Sequence, residues 1–127
     1  MADKILSYGG IGVSAATFML DDTTFNAIKS DLNAAAGKCV ALKANNTVGF
    51  GASAGSPLFG VILKADMRGV ATIQFRGFKE GVGLNETKPA IGDTGLGVDA
   101  SGNVMKLTAG KIGTVTALND ADATILL

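Results

Sequence analysis

Apolar residues recur along this chain with two different spacings. From Asp22 the sequence DTTFNAIKSDLNAAAG sets Phe25, Ile28, Leu32 and Ala36 three or four positions apart, which lays one apolar stripe along a helix. Asp22 or Thr23 can accept a free N–H of the first turn, and Gly37 offers the left-handed conformation on which helices commonly end. One α-helix near the N-terminus is therefore predicted, over about 22–36. Past Gly37 the period falls to two. The runs KCVAL, FGVIL, VATIQF, NVMKL, KIGTVTAL and ATILL are short, rich in Val, Ile and Thr, and parted by glycine or by Asn and Asp, as β-strands are. Tight turns are expected at KANNT (43–47), ADMRG (65–69), DASGN (99–103) and NDAD (119–122).

These runs fall into two pseudo-repeats, about 37–75 and 92–127, in which Gly37 matches Gly92, Ala44 matches Ala100 and Val48 matches Val104. Gly55 likewise matches Gly110, Gly60 matches Gly113 and Ile73 matches Ile125. The sequence RGFKEGVGLNETKPAI reads as the linker between them. The fold expected is mainly β, a small antiparallel β-barrel or β-sandwich of about eight short strands. Residues 21–127 form its single β-domain. In the last strand Ile125 and Leu127 should face the core and Leu126 the other side. Residues 1–20 read as an N-terminal extended arm that adds a strand to its own sheet or lies on a neighbouring chain. Tyr8, Ile11, Val13 and Phe18 are its candidate partner-binding residues.

Composition narrows the possible functions. With 127 residues there is room for one core, and 11 Lys and Arg against 11 Asp and Glu leave no basic footprint for nucleic acid or an anionic membrane. No apolar stretch approaches the ~20 residues of a spanning helix. The N-terminus shows no basic-then-apolar leader, which points to synthesis in the cytoplasm. The single Cys39 cannot form an internal disulfide, and its place in an alternating strand reads as a buried structural thiol.

Histidine is absent, which removes the usual nucleophile-activating base and the commonest metal ligand. GFGASAGSP (49–57) has the glycine content of a phosphate cradle but neither the helix nor the lysine, so a hairpin loop is expected. Asp99, Ser101 and Asn103 begin like a calcium loop, yet no bidentate Glu follows, and a turn explains them. Asp21 and Asp22 suit a helix N-terminus, and Glu80 and Glu86 have no partner at acid–base spacing. No catalytic, cofactor or metal residues are assigned, and the protein is not expected to be an enzyme. Tyr8, Phe18, Phe50, Phe59 and Phe78 stand beside glycines; they suit contact with another protein, or else the filling of the domain's own core.

The segments PLFGVILKADMRGVATIQFRGF and AIGDTGLGVDASGNVMKLTAGKIGTVTALNDADATILL resemble the capsid decoration, or cement, proteins of tailed bacteriophages. The resemblance is carried by Leu58 to Val61, Val70 to Gly77, Gly92 with Asp93, Asp99 to Gly102, Ile112 with Gly113, and Ala123 to Leu127. It implies a β-barrel or sandwich on the outer capsid surface of a virion, with the major capsid protein as partner, a homo-oligomer with a trimer favoured, and no cofactor. The first 36 residues depart from the family pattern. A tail or fibre component and a small-ligand or carbohydrate-binding β-domain are the alternative readings.

Overall fold

A computed structural model describes residues 14–92, 95–108, 111–118 and 121–127. It is mainly β and holds a closed five-stranded barrel with two smaller sheets beside it. The barrel uses β1 (Ser14–Leu20), β2 (Cys39–Ala44), β3 (Thr47–Gly49), β5 (Gly60–Ala65) and β6 (Val70–Arg76). Its neighbours run β1-β3-β2-β5-β6 and back to β1, antiparallel except for the β1·β3 pair. The remaining strands are β4 (Ser56–Pro57), β7 (Phe78–Gly83), β8 (Gly95–Val98), β9 (Val104–Lys106), β10 (Lys111–Ile112), β11 (Thr114–Leu118) and β12 (Asp122–Leu126).

The second half runs the same circuit in a looser form. β7 meets β9 through a parallel bridge between Leu84 and Val104, as Leu20 meets Val48 in the barrel. β9 pairs with β8, β8 with β10, β11 with β12, and β12 with β7. Individual hydrogen bonds recur as well. The Asp21 N–H donates to Val48 O at 3.0 Å, and Asn85 to Val104 O at 2.9 Å. Gly37 donates to Ile62 O at 2.8 Å, and Gly92 to Val115 O at 2.9 Å. Both glycines take left-handed backbone, with φ of 92° and 89°. Each unit thus begins one strand earlier than sequence matching placed it, because β1 and β7 pair with the last strand of their own unit.

Three sequence expectations change here. The presumed linker contains β7, and the presumed arm is, from Ser14 onward, the strand that closes the barrel. With the two-residue β4 and β10, these additions bring the strands to twelve. The long helix is in fact α1 (Asp22–Ile28) followed by a 3-10 turn, Leu32–Ala35. Asp21, not Asp22 or Thr23, caps α1, its Oδ1 accepting from the Thr24 N–H at 2.9 Å. Asp31 then accepts from the Ala34 N–H and starts a new turn, which brings Ala35 into the core and leaves Ala36 exposed.

Two cores follow from this layout. The first fills the barrel with Leu20, Val40, Val48, Ile62, Ala71 and Ile73, and Ile28 and Ala35 from the helical segment join it. The second is lined by Val82, Leu96, Val98, Val104, Val115, Ala123 and Ile125, together with Cys39, Ala41, Leu58 and Val61 from the first half. Successive β2 residues point to opposite faces, so Val40 enters one core while Cys39 and Ala41 enter the other. Ile125 is fully buried and Leu127 packs half-buried against the second core, as the alternation predicts.

Candidate partner-binding surface

The four candidate contact residues have different fates. Tyr8, Ile11 and Val13 lie outside the described residues. Phe18 is half-buried, because closing β1 onto β6 turns its ring toward the barrel. There it meets Phe59 edge-on at 5.2 Å and Phe75 at 6.5 Å, while Phe59 and Phe75 stack at 5.9 Å. Phe18 is therefore packed within its own chain rather than carried on an arm. Phe50 and Phe59 also pack against the barrel core, and Phe78 is half-buried on β7, so the described aromatics follow the core alternative.

The polar residues that suggested chemistry serve the joint between the halves. Asp99 sits in the β8–β9 turn at 7% exposure, and its Oδ1 accepts the N–H groups of Ser101 at 2.8 Å and Asn103 at 2.9 Å. Asn85 donates its side-chain amide to the other oxygen. Burial disfavours the charged carboxylate, but the donors from Asn85, Asn103, Ser101 and Gly102 outweigh it and hold the pKa below the ordinary value. Around this turn the Gly51 N–H donates to Asp99 O at 2.9 Å and the Cys39 N–H to Gly102 O at 2.7 Å. The approach at Gly51 is close. A Cβ there would lie 1.9 Å from Val98 O, which requires glycine. The 49–57 loop is thus pinned to the second half and runs into β4, which pairs with β8.

Cys39 is wholly buried; burial pushes its thiol far above the usual range, the Asp99 charge adds to this, and Lys38 opposes it. No group of three or more Cys, Asp or Glu side chains among the described residues is placed to hold a metal.

What the structure adds is uncovered apolar surface. Met19, Leu42, Met67 and Ile91 are 58%, 56%, 67% and 65% exposed. Met19 faces outward opposite Val70, and the adjoining turn that carries Met67 accepts the Leu20 N–H at Gly69 O, 2.9 Å. Leu42 lines an open groove of ≈ 480 Å³ whose other wall is Pro57, Leu58 and Phe59. Sequence periodicity hides Leu42, since it shares the parity of buried Val40; only the divergence of β2 from β5 beyond Val40 exposes it. Searches with the sequence find no family model and no curated protein that matches the chain.

Proposed function

We propose that the protein is a structural cement component that binds the outside of a tailed-phage head and bridges capsid subunits. The reading starts from the resemblance carried by Leu58 to Val61 and the later motifs through Leu127. The structural observation that carries it furthest is the set of long apolar side chains its own chain leaves uncovered, with Met19 and Met67 flanking one barrel edge. Balanced charge leaves apolar contact and backbone pairing as the means of adhesion. A protein that binds only the expanded lattice stabilises that lattice by mass action, about 2.7 kcal/mol per site at a concentration 100 times Kd. The partner is then the major capsid protein, the location the outer surface of the virion, and a trimer the favoured assembly. The test is cryo-electron microscopy of expanded heads of the encoding virus, prepared without the protein and then mixed with it. Density at regular lattice positions and a raised disruption temperature are expected; bare heads at saturating protein would end this reading.

A further inference from the structure

β8 is paired along both edges. β9 occupies one; along the other, β10 pairs with Gly95 and Leu96, and β4 pairs with Gly97 and Val98. β2 repeats this arrangement only in part. β3 lies along one edge, and β5 pairs with Cys39 and Val40 on the other. Ala41 and Leu42 stand where Gly97 and Val98 stand in the second unit, yet no strand among the described residues pairs with them on that edge. Val40 O faces this edge and accepts the Phe59 N–H at 2.8 Å. Two residues on, the N–H and C=O of Leu42 point the same way, into the groove. Leu42 is 56% exposed, whereas its counterpart Val98 is fully covered. The groove exists because β4, which would lie here, pairs with β8 instead.

We propose that this half-edge of β2 is a strand-accepting site, and that its occupant is residues 5–8 of the same chain, Ile-Leu-Ser-Tyr. The described chain begins at Ser14, opposite Arg76 and beside Phe75, whose ring stacks on Phe59 of the groove wall at 5.9 Å. The polypeptide thus enters β1 at the end of the barrel that holds the groove. From β1 past β6 and β5 to the groove is about three strand spacings, or ~15 Å. Residues 9–13, GGIGV, cover that distance at ~3.3 Å per residue, and their three glycines let the backbone turn beneath the two rings. In an added strand Leu6 and Tyr8 share one face, toward Leu42 and Phe59, and Ser7 takes the other. Lys43 leaves the mouth apolar, because its Nζ is drawn to Phe50 O at 3.0 Å. The inference does not depend on binding to a phage head.

Hydrogen exchange on the full chain, compared with a Leu6→Asp, Tyr8→Asp variant, tests the site. The Leu42 amide should exchange at least ~10-fold faster in the variant while the Val40 amide, which reports the intact barrel, stays unchanged. Equal Leu42 rates in the two proteins would overturn the proposal. Oxidation of a Ser7→Cys, Lys43→Cys protein tests the source of the strand, with the buried Cys39 shielded from reaction. A cross-linked monomer is expected. A disulfide-linked dimer would place the strand on a second copy and refute the own-chain assignment, and failure to cross-link would refute the site. A protein that cross-links as a monomer and still leaves heads bare removes only the proposed function.

Discussion

The two halves follow one plan and differ in self-sufficiency. The first closes its barrel with strands of 6 and 7 residues in β2, β5 and β6; the matching β8, β11 and β12 have 4, 5 and 5. A helical segment lends Ile28 and Ala35 to the first core, where the second unit has only the shorter connection 84–94. The second core instead draws Cys39, Ala41, Leu58 and Val61 from its sister, and the β8 edge is completed by β4. A duplicated unit therefore need not fold twice in the same way. One copy carries its own covering, and the other uses the outer face of the first.

The largest test of that asymmetry is removal of residues 122–127, which takes away β12 from between β11 and β7. Amide protection in β7–β11 should vanish while β5 and β6 retain slow exchange; uniform loss would show one indivisible unit. Next, Ile73→Ala and Ile125→Ala each empty a fully buried position and should cost about 3 kcal/mol in denaturant titrations. The two variants should differ in exchange pattern, with Ile125→Ala loosening only the second half. Asp99→Ala should cost about 2 kcal/mol, since it strips an acceptor from Ser101, Asn103 and Asn85 at the joint.

The same carboxylate gives a pH signature. Its folded pKa lies below the unfolded value, so its contribution is complete above the unfolded pKa of about 3.9 and fades as pH falls through the folded one. The stability gap between the wild type and Asp99→Asn should be constant near neutrality and close at more acidic pH. The smallest effect sharpens the comparison of equivalent sites: Leu42→Ala should change stability by about 0.5 kcal/mol or less, against about 2 kcal/mol for Val98→Ala.

Legibility in the sequence follows the source of each constraint. The hairpins were readable because alternation and turn residues are local: Asn46 takes φ of 51°, Gly69 81° and Gly102 83°, all in predicted turns. β7 escaped because FKEGVG buries only Val82 and contains two glycines, so no alternation stands out. β1 escaped because its outward positions are Ala15, Thr17 and Met19, and its pairing partners lie far along the chain. The helix was overextended because the i, i+4 stripe continues through Leu32, while the Asp31 side chain takes the backbone elsewhere. Phe18 and Leu42 exchanged roles for one reason: barrel closure and strand divergence are properties of the ring, which no window of neighbouring residues contains.

Cys39 marks the seam at which this lopsided partnership can be watched in time. Its sulfur is sealed beneath the second half, and its amide is tied to Gly102 across the joint. An alkylating reagent can therefore label only molecules whose halves have parted, and its uptake becomes a stopwatch for that breathing. Anything that clasps the body from outside should slow the clock without touching the thiol.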